Sequence, residues 1–200
     1  GKKFETLNLG VKPYPSCRYS HAAIDGILKL KSDIGFKLEE LEKMEIGLSN
    51  TALNIIGLPL EEKQNPKNVV DGQFSMPFCA AIAVRNGGFV WDDYKKNLYN
   101  KETLSLCKRI KISHNKNAEK YCPEYMSANV KIKVSGKEYE KFIKIPKGDP
   151  ENFMTKDEFI EKFDGLAKPY LTDKKLDEIK SFMLKLEVSN NLNSLFELSN

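Results

Sequence analysis

The run Val130-Lys-Ile-Lys-Val134, followed at once by Ser135-Gly136 and then by Tyr139 to Ile145, constrains the fold more than any other stretch of the chain. Val130, Ile132 and Val134 face one way and Lys131 and Lys133 the other, the period of a half-buried strand. A Ser-Gly pair between two such runs is hairpin-turn chemistry, so two antiparallel strands are expected here. Helical patterns on both sides of the hairpin supply the layer that its apolar face needs.

Upstream, Ser20 is expected to cap a helix whose Ala23, Ile24, Ile27, Leu28 and Ile34 recur at three and four, with Gly35 as its stop. A short helical pattern from Leu38 gives way to alternation over Met44 to Leu48, read as a strand. Asn65-Pro66 marks a turn into a helical stretch. Phe74 to Val84 reads as a buried helix with Pro77 in its first turn, ended by Asn86-Gly87-Gly88. Trp91 to Ile112 holds two helices that run into a strand at Arg109 to Ser113.

Beyond the Pro146 to Pro150 loop, Thr155 and Glu158 have capping-box spacing ahead of the stripe Phe159, Ile160, Phe163 and Leu166. A second helix starts near Thr172 and carries Leu176, Ile179, Phe182, Met183 and Leu186. A last turn or helix spans Leu192 to Leu198. The expectation is an α+β fold: a small mixed sheet with an antiparallel hairpin, packed with helices, in one unit over 1–200 whose segment from about 155 trails as helices.

Composition narrows the function classes. With 40% hydrophobic and 30% charged residues the chain reads as folded and globular. Its longest apolar runs, such as Phe78 to Val84, fall far short of the roughly 20 residues of a membrane span. The start of the chain has no apolar signal core, so a cytoplasmic address is expected. Cys17, Cys79, Cys107 and Cys122 are scattered without close pairing, which reads as free thiols and speaks against a metal site. The net charge of +4 is interleaved and weakly favours anionic partners. Lys108, Arg109, Lys111, Lys116 and Lys120 are basic, but acidic residues intersperse them and no stacking aromatics accompany them, so no nucleic-acid partner is expected. His114 reads as a solvated loop histidine.

The chemistry-bearing segment is Lys12-Pro-Tyr-Pro-Ser-Cys-Arg-Tyr-Ser-His21. Two prolines stiffen a loop that carries a lysine, an arginine and two tyrosines into a helix start. Cations beside unpaired helix N–H groups suit a carboxylate or phosphate, and a histidine there can move a proton near neutral pH. By themselves the residues leave open that Lys12 and Arg18 are solvated charges and that His21 packs at the helix start.

This run resembles, without a gap, the K-P-Y-P-x-C-R-x-[ST]-H-x-A-I-D segment of MmgE/PrpD proteins. Further similar stretches follow in the family's order: Val70-Asp-Gly-Gln-Phe-Ser-Met-Pro-Phe78 with its Ala-rich helix, the Val130 to Tyr139 hairpin, and Ile145-Pro-Lys-Gly-Asp-Pro150 with Thr155 to Phe163. Together they span most of the chain. The resemblance implies that 1–200 is the carboxy-terminal α+β lid and that a larger amino-terminal helical domain is absent from this sequence.

It further implies elimination, decarboxylation or epimerisation of small di- or tricarboxylic acids, as in 2-methylcitrate dehydratase, cis-aconitate decarboxylase and iminodisuccinate epimerase. It implies no metal and no organic cofactor, a homodimer, and a site between the two domains. Lys12 and His21 correspond to the lid's catalytic lysine and histidine. Arg18 and Tyr14 are candidate substrate ligands, though both also suit a brace for the loop, and the principal base is expected from the helical domain. Phe78 is expected to line the pocket where many members carry tyrosine. It lacks the hydroxyl, which favours dehydratase over decarboxylase unless Ser75 or Gln73 compensates. The isolated lid is expected to be inactive; the non-enzyme alternative is an anion-binding or regulatory module.

Overall fold

In the computed structural model, which describes residues 2–199, β-branched and apolar residues at every second position build four strands. They are β1 (Leu41–Leu48), β2 (Ile110–His114), β3 (Ala128–Val134) and β4 (Lys137–Ile143), in the order β2-β1-β3-β4. β1 runs parallel to β2 and antiparallel to β3, and β3 and β4 form the expected hairpin. Ser135 and Gly136 both have positive φ, 48° and 78°, the conformation of a tight turn that matches strand twist.

One face of the sheet carries Met44, Ile46, Leu48, Ile110, Val130, Ile132 and Val134, all buried. Against it pack α1 (His21–Ile34) and α2 (Met76–Asn86), with α3 (Lys101–Arg109) beside α2. The opposite face carries Lys111, Glu45, Lys131 and Glu140, joined by the ion pairs Lys111–Glu45 at 3.5 Å and Lys131–Glu140 at 3.4 Å. Such solvated pairs keep the face wet more than they stabilise it.

Local signals explain most boundaries. Gly35 ends α1 in the left-handed region, and Ser75 caps α2 by accepting from the Phe78 N–H, with Pro77 in the first turn where its missing N–H costs nothing. Among the boundaries that differ from the sequence reading, two have a clear local cause. β1 starts at Leu41 rather than Met44, through an irregular register between Leu41 and Lys43 that breaks the alternation. Ser20 does not cap α1: it closes a 3-10 turn, Arg18–Ser20, and its hydroxyl donates to the Cys17 carbonyl at 2.8 Å.

The chain divides into two compact units, Gly1–Phe153 and Met154–Asn200. The second begins at the expected capping box: the Glu158 N–H donates to Thr155 Oγ1 at 3.3 Å and the Thr155 N–H to Glu158 Oε2 at 2.7 Å. It holds α4 (Lys156–Ala167), α5 (Asp173–Met183) and α6 (Asn193–Ser199). Leu186 lies past α5, in a turn of 3-10 helix over Leu186–Val188. Among the described residues no helix is long and apolar enough to cross a membrane.

Candidate active site

Prolines at 13 and 15 restrict the segment from Val11 to Cys17, which bends over 13–16 instead of running extended, and hydrogen bonds fix it from both sides. The Cys17 N–H donates to the Gln73 carbonyl at 2.9 Å, the Tyr94 hydroxyl to the Pro15 carbonyl at 2.8 Å, and the Val11 N–H to the Gly148 carbonyl at 2.7 Å. Gly148 has φ of 87°, and a Cβ there would sit 1.9 Å from the Val11 carbonyl oxygen. Only glycine lets the 147–149 turn lie this close to the loop.

Arg18 ties the same two segments. Its Nη1 donates to the Lys147 carbonyl at 3.1 Å and to His21 Nδ1 at 3.1 Å, while Nη2 pairs with the Asp149 carboxylate. A guanidinium donates only, so Nδ1 of His21 must offer its lone pair. That sets the tautomer: His21 is neutral with its proton on Nε2, which donates to the Ser16 carbonyl at 3.4 Å. Lys12 Nζ donates to the same oxygen at 3.2 Å. The exposed lysine and the fully buried histidine therefore converge on one acceptor position.

Tyr14 lies edge-on to the His21 ring, with centroids 5.3 Å apart, and its hydroxyl donates to Asp25 Oδ1 at 2.6 Å. Asp25 Oδ2 accepts the Lys147 N–H at 2.6 Å. Burial pushes the Asp25 carboxyl above its ordinary range, and the hydrogen bonds from Lys147 and Tyr14 only partly offset this. At the helix start, the Ser20 N–H donates to the Cys17 carbonyl and the His21 N–H to the Arg18 carbonyl. The N–H that opens α1 is thus engaged within the chain.

The family model of the MmgE/PrpD C-terminal domain matches residues 14–187. The chain belongs to the MmgE/PrpD family. A search of curated proteins finds no match for it. Tyr14, Arg18 and His21 fall inside the matched region, and Lys12 stands just ahead of it.

Within this MmgE/PrpD domain the structure brings together Lys12, Tyr14, Arg18 and His21, and leaves Phe78 apart. Phe78 is fully buried and stacks on Tyr94 at 6.1 Å, so it lies in the core instead of lining a pocket. Its link to the loop is indirect, through the Tyr94 hydroxyl on Pro15. Arg18 is a brace, its charge met by Asp149, and the Tyr14 hydroxyl hydrogen is directed at Asp25. Ser75 caps α2, and its hydroxyl bonds to the Lys63 carbonyl.

Sequence reasoning missed Asp25, Ser16, Lys147 and Asp149. Asp25 stands one helical turn after His21 and closes the same ungapped motif, and Lys147-Gly148-Asp149 lies inside another matching stretch. Residue types marked both segments, but nothing in their spacing joined Arg18 to Asp149. His114 stands at the exposed end of β2, with Nε2 3.2 Å from Glu119 Oε2. The cysteines are free; burial pushes the Cys107 thiol up to about 12 and the Cys79 thiol higher still, so both are inert thiols. Among the described residues no group of three or more His, Cys, Asp or Glu side chains is placed to hold a metal.

Proposed function

We propose that this domain forms one wall of a lyase site for small di- or tricarboxylic acids, with dehydration of a 2-methylcitrate-like acid as its reaction. A helical domain supplies the other wall and the principal base, in a cytoplasmic homodimer. The observation that supports this best is the convergence of Lys12 Nζ and His21 Nε2 on the Ser16 carbonyl oxygen. Two donors aimed at one oxygen are what a substrate carboxylate or a departing hydroxyl needs.

In the elimination, a base removes the proton alpha to a carboxylate, and the electron pair moves to expel the hydroxyl from the neighbouring carbon. The carboxylate next to the developing negative charge rests against the Lys12 ammonium. The hydroxyl leaves as water once the conjugate acid of the base returns the proton to it, with His21 Nε2–H hydrogen-bonded to that oxygen and Arg18 on Nδ1 keeping the ring in the donating tautomer.

The test is a dehydratase and decarboxylase assay of the full-length protein on 2-methylcitrate, citrate and cis-aconitate, alongside Lys12→Ala and His21→Ala. Loss of about a hundredfold or more in kcat/KM for one acid in both variants supports the reading. Turnover unchanged in both would move the chemistry wholly to the helical domain.

A further inference from the structure

An imidazole ring turned over about its Cβ–Cγ bond occupies the same space, but Cδ2 then stands where Nδ1 stood and Cε1 where Nε2 stood. Packing by shape, such as the edge-on contact of Tyr14 at 5.3 Å, does not choose between the two. The bond from Arg18 Nη1 to His21 Nδ1 at 3.1 Å does. It demands a nitrogen at that position and a lone pair on it, which leaves the ring proton on Nε2, facing the Ser16 carbonyl. We propose that Asp149 is a positioning residue for His21 and acts through Arg18: its carboxylate holds the guanidinium so that the ring keeps one orientation and one tautomer. This rests on the lyase reading above, in which His21 Nε2–H meets the departing oxygen.

Arg18 lies in the 3-10 turn Arg18–Ser20 that leads into α1, and its side chain is long enough to sample many rotamers if the imidazole alone holds it. Asp149 takes Nη2, while Nη1 is shared between the Lys147 carbonyl and His21 Nδ1. These acceptors, drawn from two segments of the chain, fix the plane of the guanidinium, and the point-like charge of a lysine could not span them. The pair is largely shielded from water, with the Arg18 and Asp149 side chains 17% and 23% exposed, so salt screens it less than an open surface pair. Asp149 sits on a turn closed by its own main chain: its N–H donates to the Pro146 carbonyl at 3.3 Å, its carbonyl accepts the Asn152 N–H at 2.9 Å, and the Gly148 N–H donates to the Asn152 carbonyl at 2.9 Å. The backbone of the turn thus delivers the carboxylate to Arg18. Gly10 lies against the pair: a Cβ there would stand 3.3 Å from Asp149 Oδ1, 3.6 Å from Arg18 Nη2 and 3.0 Å from the Gly148 carbonyl oxygen.

Asp149→Asn removes the charge and keeps the shape. In the full-length protein it should lower kcat for the proposed lyase reaction about tenfold to a hundredfold, with KM changed less than about threefold. At the same pH the NMR resonance of His21 Nδ1, identified by its loss in His21→Ala, should move, because the bond it accepts from Arg18 is loosened. Gly10→Ala, which presses on the pair without removing a charge, should move kcat and the resonance in the same direction by less. In an Arg18→Ala background Asp149→Asn should have no further effect on kcat, the non-additivity of a residue that acts through another. Gly87→Ala is the structural comparison: nothing lies within 4 Å of its added Cβ, and it should leave both readouts at wild-type values. An unchanged Nδ1 resonance in Asp149→Asn would overturn the assignment, as would effects of Asp149→Asn and Arg18→Ala on kcat that simply add. A moved resonance with kcat unchanged, in an enzyme that His21→Ala inactivates, would also refute it and leave the lyase reading standing. If His21→Ala turns over like wild type, the lyase role of His21 fails, and the assignment falls with it.

Discussion

Replacing Gly148 by alanine tests whether the site loop and the 147–149 turn form one unit. The residue has φ of 87°, where an L side chain costs about 1–2 kcal/mol. The added Cβ would fall 1.9 Å from the Val11 carbonyl oxygen and 3.0 Å from Pro13 Cδ, so the backbones must part. Parting breaks the Val11–Gly148 bond, about 1 kcal/mol, and the bond from the Arg18 guanidinium to the Lys147 carbonyl, about 1.5 kcal/mol. The expected loss is about 4 kcal/mol, a large fraction of a domain's stability. Gly87→Ala is the control: its φ is 68°, but nothing lies within 4 Å of the new Cβ, so only about 1–2 kcal/mol of strain applies. Urea unfolding followed by Trp91 fluorescence reads the first unit, since the chain has a single tryptophan and its ring packs edge-on to Tyr94 at 5.8 Å. Equal losses in the two variants, within about 0.5 kcal/mol, would refute the close-approach argument.

The buried Asp25 makes a pH prediction. Its folded pKa is raised above the ordinary 3.8, so the folded state holds the proton more tightly than the unfolded chain does. The stability it contributes is fully present below about 3.8 and is lost as pH rises through the raised value; Asp25→Asn should flatten that part of the profile, and an unchanged slope in urea titrations at stepped pH would refute it. Tyr94→Phe removes the hydroxyl that holds the Pro15 carbonyl at 2.8 Å. It should cost about 1 kcal/mol and lower the kcat/KM of the proposed lyase reaction, and an effect on neither would show that the loop stands without this tie.

Legibility in the sequence followed the range of the interaction. The β3–β4 hairpin, the Gly35 stop and the Thr155–Glu158 box are set within a few residues, and each is read from local spacing. The parallel pairing of β1 with β2 is not, because Met44 meets Ile110 across several intervening helices that no period encodes. Ser20 looks like a cap because its residue type suits one, whereas its hydroxyl lies 2.7 Å from that of Ser16 and donates to the Cys17 carbonyl in a 3-10 turn. Lys12 and His21 were visible as a pair by resemblance, and Arg18 was visible only as a cation. Its role as a brace follows from Asp149, 131 residues downstream. Phe78 shows the converse: an apolar residue in a motif was expected at a pocket, whereas its neighbour Tyr94 draws it into the core.

The Arg18–Asp149 clasp also sets an order of events during synthesis. When the chain has emerged as far as Ile143, every strand of the sheet and α1, α2 and α3 already exist. The clasp does not, because its second half has yet to be made. In the finished chain, bringing α1 onto β4 closes a loop of similar length, and the clasp draws together the segments that flank that packing. During synthesis the strands thus precede the clasp. A chaperone or protease that captures the segment after β4 would silence the site while leaving the sheet folded.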